Sequence, residues 1–264
     1  AWTYGIDVRG EPVVDMEKAM ARKERVVSDQ AGGVSRFVAR HGVRYLQGAA
    51  RLTGPGSLEI DDGEKPVWTL EADSVILAPG TSPAEFPGVP FDGRYVLSSS
   101  QALDLTRLPG SLVIVGGGVV GCEFATLFNE FGVRVTLVEA MERLLPITGV
   151  DGDCSRILLR ELRKRKVAVK TGHAVNSCRQ VQGGVEVDIA PTPEHAKRVK
   201  SGGETLRAEL MMVCVGRKPN TSGLGLEHAG VSTDERGWII ADESLRTDAE
   251  NVFAVGDILG PERV

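Results

Sequence analysis

The spacing of hydrophobic residues changes along the chain. Up to residue 108, a segment compatible with a long helix, residues 16–41, precedes short segments of strand character. Asp15 is placed to cap this helix and Gly42 to end it, and we expect Gly32 and Gly33 to bend or split it. The short strand-like segments are residues 43–46, 57–60, 67–70 and 74–78.

From residue 109 onward the pattern predicts alternating strands and helices. Residues 112–115 form a continuous apolar run, which is typical of a parallel strand covered on both faces. Further strands are predicted at residues 133–138, 167–170 and 210–215, with a hairpin around residues 185–189 and a polar excursion over residues 191–203. The order predicts an α/β fold in which a βαβ parallel sheet carries an antiparallel β insertion.

Two predicted helices connect these strands. The first covers residues 119–131 and ends at Gly132. Its inward face is predicted to consist of Val120, Phe124, Leu127, Phe128 and Phe131. Asp153 is predicted to cap the second helix, whose inward residues are predicted to be Ile157, Leu158 and Leu162.

Charge and cysteine content narrow the possible functions. The net charge of −5 argues against a nucleic-acid partner, and the basic run at residues 163–166 is interpreted as the end of a helix. The four cysteines and four histidines show no metal-ligand spacing, and isolated thiols suit a reducing cytoplasm, so we expect a cytoplasmic protein without a metal site. No apolar run reaches about 18 residues, so we expect no membrane span, and we expect no signal peptide.

A glycine motif lies between the apolar strand and the first of these helices. Residues 116–121 read G-x-G-x-x-G and comprise Gly116, Gly117, Gly118, Val119, Val120 and Gly121. In a dinucleotide-binding loop the first glycine allows the tight turn, the second lets the backbone approach a pyrophosphate, and the third lets the helix pack on the strand. N–H groups at the start of the helix then bind the phosphate charge.

Glu139 ends the next strand, about 20 residues after the glycines, where this motif requires an acidic residue. Its carboxylate can accept hydrogen bonds from both adenosine ribose hydroxyls and would repel a 2′-phosphate, which favours NAD(H) over NADP(H). The alternative is a glycine-rich turn in another kind of α/β domain, with Glu139 a surface charge.

Four segments together resemble the pyridine nucleotide-disulfide oxidoreductases, and most closely the dihydrolipoamide dehydrogenases within that family. They are residues 74–80 (SVILAPG), 115–123 (VGGGVVGCE), 213–221 (VCVGRKPNT) and 251–257 (NVFAVGD). The opening, with Gly10-Glu11-Pro12 and the long helix, is also similar. The resemblance implies a Rossmann-like FAD/NAD(P)-binding fold divided into a partial FAD-binding domain (1–108), an NAD-binding domain (109–219) and a return segment of the FAD and central domain (220–264).

The resemblance also implies individual roles. Residues 116–121 and Gly216 would lie at the NAD site, and Glu139 would bind the adenosine ribose. Glu123 would lie near the nicotinamide and flavin rings, whereas the residues alone are equally consistent with an acid favoured by the helix dipole. Asp257 would bind the ribityl chain of FAD and Gly80 would lie close to FAD, although Asp257 alone also fits a turn-forming residue.

The chain departs from the family pattern at several positions. Pro79 stands where the family usually has Thr, Ala50 where many relatives have Gly, and His173 where a small apolar residue often packs on the NAD adenine. We interpret His173 as a surface or packing residue, and Cys122 as a small buried residue.

Some family features are missing from the sequence altogether. The glycine motif for the FAD pyrophosphate, the redox C-x4-C pair and the C-terminal dimerisation domain with its His-Glu base do not occur in these 264 residues. We therefore expect an inactive fragment that retains FAD poorly. Its parent would be a homodimer that oxidises dihydrolipoamide on the lipoyl domain of 2-oxoacid dehydrogenase complexes.

Other functions remain open. The chain could derive from another flavoprotein, such as mercuric reductase, glutathione reductase or a transhydrogenase, or could be a non-catalytic NAD-binding module.

Overall fold

The chain divides into two compact units. The computed structural model describes residues 13–63, 68–198 and 202–261. Unit 1 combines the chain up to Arg40 with Glu85–Val215, and unit 2 combines His41–Ala84 with the chain from Gly216 onward. The opening motif Gly10-Glu11-Pro12 and the first residue of the predicted strand 67–70 lie outside the described residues.

The elements follow one another in chain order. The strands are β1 (Ala49–Gly54), β2 (Ser57–Asp61), β3 (Trp68–Glu71), β4 (Val75–Leu77), β5 (Thr81–Pro83), β6 (Val96–Ser98), β7 (Ser111–Val115), β8 (Arg134–Glu139), β9 (Ala168–Thr171), β10 (His173–Val181), β11 (Gly184–Pro191), β12 (Glu204–Ala208), β13 (Leu210–Val213), β14 (Arg217–Pro219) and β15 (Val252–Ala254). The helices are α1 (Met16–Arg40), α2 (Ser99–Ala102), α3 (Val119–Glu130), α4 (Gly152–Lys164), α5 (Pro193–Ala196) and α6 (Leu226–Ala229), with a 3-10 turn at Gly256–Leu259.

The centre of unit 1 is a five-stranded parallel sheet in the order β6-β13-β7-β8-β9. Every residue of β7 is buried, as its unbroken apolar sequence predicts for a strand with both faces covered. The register places Val115 opposite Val138 and Glu139 opposite Thr171. Because all five strands run the same way, their carboxyl ends meet at one edge, where open α/β sheets bind ligands.

The antiparallel insertion of unit 1 is the sheet β10-β11-β12. Alternate residues of β11, namely Val185, Val187 and Ile189, are almost fully buried. Glu186 is also buried, and its carboxylate forms ion pairs with Arg179 and Arg207 on the flanking strands. The predicted α/β fold with an antiparallel insertion is therefore confirmed.

Some predicted helix details were wrong. Helix α4 begins after Asp151 rather than Asp153, which lies in the first turn and pairs with Arg156. Ile157 is 53% exposed and Leu127 is 40% exposed, so neither lies on an inward face. The apolar stripes are narrower than predicted because only the residues directly over the sheet are covered.

The prediction for helix α1 was partly correct. Asp15 caps it, since the Lys18 N–H donates to Asp15 Oδ1 at 3.1 Å. The helix continues from Met16 to Arg40 without a break at Gly32 and Gly33, so the expected split was wrong.

Unit 2 contains the antiparallel sheet β1-β2-β3, the parallel pair β4-β15 and the antiparallel pair β5-β14. Its core includes Leu52, Val252 and Ile258. The predicted strand at residues 43–46 does not form, and the first strand of this unit is β1.

Candidate functional site

The glycine loop after β7 turns tightly against the neighbouring strands. Gly116 has a φ of +106°, and a Cβ there would lie 2.2 Å from the carbonyl oxygen of Cys214. Its N–H donates to the Val138 carbonyl at 2.8 Å. A Cβ on Gly121 would lie 1.9 Å from the Gly116 carbonyl oxygen. Both positions therefore require glycine, the first for the turn and the second for the approach of α3 to the loop.

Gly118 is the N-cap of α3 and, unlike Gly116 and Gly121, has room for a side chain. Its φ of −72° is open to any residue, and a Cβ there would meet no atom within 4 Å. No side chain of the described residues caps the helix, so the N–H groups of its first turn keep their capacity to donate. A helix start of this kind suits a phosphate group, because the N–H groups and the helix dipole both favour negative charge.

Glu139 holds the loop from the end of β8. The residue is 7% exposed, Oε2 accepts from the Gly117 N–H at 2.5 Å, and Oε1 accepts from the Met141 N–H at 2.7 Å. Each carboxylate oxygen has a second lone pair, so the side chain can still accept two hydrogen bonds. The two hydroxyls of a ribose supply that number of donors, so the carboxylate fits the ribose of a dinucleotide.

Cys122 lies behind the loop and is 4% exposed. Its thiol donates to the Gly117 carbonyl at 3.3 Å. Burial, together with the charges of Glu139 and Glu123, raises the pKa of the Cys122 thiol to about 11. A thiol that stays protonated is a poor nucleophile, so Cys122 is a buried packing residue, as predicted.

Glu123 follows on the exposed surface of α3, two residues after Gly121. The structure adds no hydrogen-bond partner for its side chain among the described residues. Its role near the nicotinamide and flavin rings stays a prediction.

Gly80 and Asp257 are brought together in unit 2. Gly80 has a φ of +66°, and the next residue, Thr81, donates from its hydroxyl to Asp257 Oδ2 at 3.1 Å. Arg217 donates to the Thr81 hydroxyl and lies 3.8 Å from Asp257 Oδ2. Asp257 is half-exposed at the start of the 3-10 turn, which leaves Oδ1 available to a hydroxyl donor.

The sequence did not single out Thr81 or Arg217 as site residues. Arg217 belongs to the segment VCVGRKPNT, which contributes to the family resemblance, but the sequence predicts no role for the Arg217 side chain. Gly216, from the same segment, has a φ of +137° and accepts from the Ala84 N–H at 3.0 Å.

Neither a metal cluster nor a membrane helix occurs in the described part of the chain. Within residues 13–63, 68–198 and 202–261, no three histidine, cysteine or acidic side chains are grouped to hold a metal ion. No helix in these ranges is long and apolar enough to cross a bilayer.

Comparison with known proteins shows the family to which this chain belongs. The family model described as pyridine nucleotide-disulphide oxidoreductase matches residues 8–264. The chain belongs to this family. Among relatives, dihydrolipoyl dehydrogenase 3 of Pseudomonas aeruginosa is 34% identical over 253 residues, 96% of this chain and 52% of the relative. Dihydrolipoyl dehydrogenase of Bacillus subtilis is 35% identical over 259 residues, 98% of this chain and 54% of the relative.

Two solved structures have the same fold as this family member. LpdA of Mycobacterium tuberculosis matches with a TM-score of 0.83 at 28% identity, over 95% of this chain and 53% of that one. The HOCl-induced flavoprotein disulfide reductase RclA of Escherichia coli matches with a TM-score of 0.78 at 27% identity, over 93% of this chain and 53% of that one. The chain therefore spans about half the length of the relatives that it matches.

Proposed function

We propose that this chain is the NAD(H)-binding portion of an FAD-dependent dihydrolipoamide dehydrogenase. In the complete enzyme, two electrons pass from a dithiol, which becomes a disulfide, to FAD and then as a hydride to NAD⁺. The relatives named dihydrolipoyl dehydrogenase, at 34% and 35% identity, support this choice. We retain the three-part division at 1–108, 109–219 and 220–264 as part of the proposal.

One observation carries the choice of nucleotide. Glu139 is buried and held by two backbone N–H groups, so it cannot swing away from a ligand at the glycine loop. A 2′-phosphate about 4 Å from it would meet a repulsion of about 4 kcal/mol per unit charge at an effective dielectric constant of 20. Salt and water reduce this value, so we expect a preference for NADH over NADPH of roughly 10- to 100-fold.

The roles proposed for the other site residues rest on the family resemblance. The pyrophosphate would lie at the N-terminus of α3 beside Gly118, Glu123 would border the site of hydride transfer, and Gly216 would face the NAD site. Gly80 and Asp257 contact FAD, and the contact of Asp257 with Thr81 supports their common position.

The chain alone would not reduce or oxidise a disulfide. All four cysteines are free and none is spaced as C-x4-C. Burial raises the pKa of the Cys214 thiol to about 12, so this residue does not supply a reactive thiolate either. We further propose that the isolated chain does not retain FAD, and that its parent is a cytoplasmic homodimer that acts on the lipoyl domain of 2-oxoacid dehydrogenase complexes.

Calorimetric titration with NADH and with NADPH tests the nucleotide assignment. We expect the wild-type chain to prefer NADH and Glu139→Ala to lose most of that preference. Glu130→Ala, which removes an exposed acid at the end of α3, is the matched control and should bind as the wild type does. An unchanged preference in Glu139→Ala would refute the assignment, provided that circular dichroism shows the variant to be folded.

A disulfide reductase with another substrate is the second candidate. The match to RclA, at nearly the same TM-score as that to LpdA, supports it. Steady-state assays of the complete protein with dihydrolipoamide and with other disulfide substrates distinguish the two, and a complete protein without bound flavin would favour a non-catalytic NAD-binding module.

A further inference from the structure

The loop that connects β8 to α4 packs against the glycine loop. Leu145 in this connecting loop donates its N–H to the Gly117 carbonyl at 2.8 Å. Its neighbour Leu144 is 1% exposed and lies so close that a Cβ on Gly117 would be 2.8 Å from Leu144 Cδ2. Leu145 has a φ of +49°, a conformation that costs free energy for a residue with a Cβ. Such a conformation persists only where the surrounding contacts hold it.

Ser155, near the start of α4, holds the other side of the same peptide group. The residue is 2% exposed, and its hydroxyl donates to the Leu144 carbonyl at 2.6 Å. The Leu144 carbonyl and the Leu145 N–H belong to one planar peptide group, so neither can turn without the other. This peptide group is therefore bonded to α4 on one side and to the glycine loop on the other.

Arg143 sets the direction of the Ser155 hydroxyl. Its Nη1 donates to Ser155 Oγ at 2.9 Å and to the Val150 carbonyl at 2.9 Å, and its Nη2 donates to the Ile147 carbonyl at 3.4 Å. A guanidinium can only donate, so it occupies a lone pair of Ser155 Oγ and leaves the single hydroxyl hydrogen for the Leu144 carbonyl. Arg143 also closes the connecting loop through the two carbonyl groups that it binds.

The contact with Leu145 orients a second peptide group, at the start of α3. The Gly117 carbonyl and the Gly118 N–H belong to this group, and in a trans peptide they point in opposite directions. The carbonyl accepts from the Leu145 N–H and from the Cys122 thiol, so the Gly118 N–H points the other way. That N–H has no acceptor among the described residues, and a Cβ on Gly118 would meet no atom within 4 Å. It is an aligned donor with room for an anion in front of it.

We propose that Ser155, oriented by Arg143, is a positioning residue for the phosphate-binding end of the nucleotide site. Its hydroxyl fixes the Leu144–Leu145 peptide, which in turn fixes the Gly117–Gly118 peptide and the N–H that faces the ligand. Without the hydroxyl, both peptide groups can rotate, and binding must then align the donor that the wild type holds ready. The inference rests on the proposed function and deepens it, because it names residues outside the glycine motif that set the affinity for a diphosphate.

The test compares ADP with adenosine, because both carry the base and the ribose but only ADP carries the diphosphate. Each is titrated into the chain and followed in ¹H–¹⁵N NMR spectra. Ser155→Ala should bind ADP about tenfold more weakly than the wild type, as the loss of one aligned hydrogen bond to a charged group predicts, and should bind adenosine within about twofold of the wild type.

Further variants separate positioning from other effects. Arg143→Gln should weaken ADP binding in the same direction but less, and Arg143→Lys, which still offers a charged donor to Ser155, should recover part of the loss. Ser177→Ala removes an exposed hydroxyl that is bonded to Asp188 on the antiparallel insertion. It is the matched control and should bind both ligands as the wild type does. A variant that is only less stable, yet still folded, would show no difference between ADP and adenosine.

Hydrogen exchange of the wild type covers the case in which the variants do not fold. The Leu145 amide should be protected in the ligand-free chain, because its bond to Gly117 exists before a nucleotide binds. Exchange of this amide as fast as in an open loop, unchanged ADP affinity in folded Ser155→Ala, or an equal loss for ADP and adenosine would overturn the inference and leave the NAD site standing. A wild-type chain that binds neither ADP nor NADH would instead refute the proposed function.

Discussion

Gly121 and Gly118 share the glycine motif, yet a methyl group should affect them in opposite ways. In Gly121→Ala the new Cβ would lie 1.9 Å from the Gly116 carbonyl oxygen and 3.0 Å from its carbon. The loop cannot easily withdraw, because the Gly116 N–H is bonded to Val138 and the Cys214 carbonyl lies on its other side. Helix α3 or the loop must therefore shift by more than about 1 Å to restore an ordinary contact.

The expected loss of stability follows from two opposing effects. Overpacking against fixed structure costs typically 1–3 kcal/mol and occasionally more, and contact with backbone places this case at the upper end. Alanine gains about 1 kcal/mol over glycine inside a helix. We expect a net loss of about 2 kcal/mol, which lowers the urea midpoint by about 1 M for an m-value near 2 kcal/mol/M.

Gly118→Ala is the matched control for stability. Its Cβ would enter open space with an unstrained backbone, so the one expected cost is that alanine is a poorer N-cap than glycine by about 1 kcal/mol or less, which lowers the urea midpoint by at most about 0.5 M. Its NADH affinity should fall, because the methyl group occupies the place where the pyrophosphate would approach. Urea unfolding followed by far-ultraviolet circular dichroism and calorimetric titration with NADH measure the two effects.

Two results would refute this reasoning. A Gly121→Ala variant as stable as the wild type would show that the loop yields without cost. A Gly118→Ala variant with unchanged NADH affinity would show that no phosphate approaches the start of α3.

Other residues give further predictions. Iodoacetamide at pH 8 should modify the exposed Cys154 well before Cys122, because a pKa of about 11 leaves Cys122 with little thiolate. Mass spectrometry of the peptides reports the order of modification. Modification of Cys122 first would contradict its assigned burial. Burial alone would raise the pKa of Asp92, but backbone N–H donors lower it below 3.8, so its charge stabilises the fold above that pH and the contribution fades as pH falls through the lower folded-state pKa. Asp92→Asn should therefore be less stable than the wild type at pH 6 in urea titrations, the difference should shrink as the pH falls below 3.8, and a constant difference would contradict the sign. Gly225→Ala should destabilise unit 2 by at least about 1 kcal/mol, because Gly225 has a φ of +68° and a Cβ there would lie 2.1 Å from the Leu52 carbonyl oxygen. An unchanged urea midpoint would argue against that contact.

The predictions from sequence succeeded for a strand whose residues are all buried and failed for a segment whose structure depends on a hydrogen-bonding neighbour. The apolar run of β7 predicts a covered parallel strand because both faces need apolar residues. Residues 43–46 alternate as a strand does, yet Val43 and Tyr45 are 57% and 76% exposed, and no strand in the described part of the chain pairs with them. Hydrophobic alternation does not supply a hydrogen-bonding neighbour, so this segment stays irregular.

Helix α1 shows that glycine residues are a weak signal for a helix break when the many other residues of a long helix favour it. Two glycines cost it about 1 kcal/mol each relative to alanine, which the rest of a 25-residue helix offsets.

The candidate site likewise contains residues that local spacing predicts and contacts that it does not predict. The Gly116–Gly121 motif and Glu139 follow from spacing, because a strand, a turn and a helix fix their geometry locally. The contact between Thr81 and Asp257 joins residues 176 positions apart, and no local pattern contains it.

The interrupted chain path of unit 2 affects how the protein can fold. Strand β4 pairs with β15, so residues 78–251 must close as a loop before this pair exists. Closing an unstructured loop of that length costs roughly 4–5 kcal/mol. The pairing of β6 with β13 in unit 1 closes most of it, since Val96 and Met211 are then neighbours. Unit 1 is therefore expected to fold first and to shorten the loop that unit 2 must close, and during synthesis β4 cannot pair until the chain has passed Ala254.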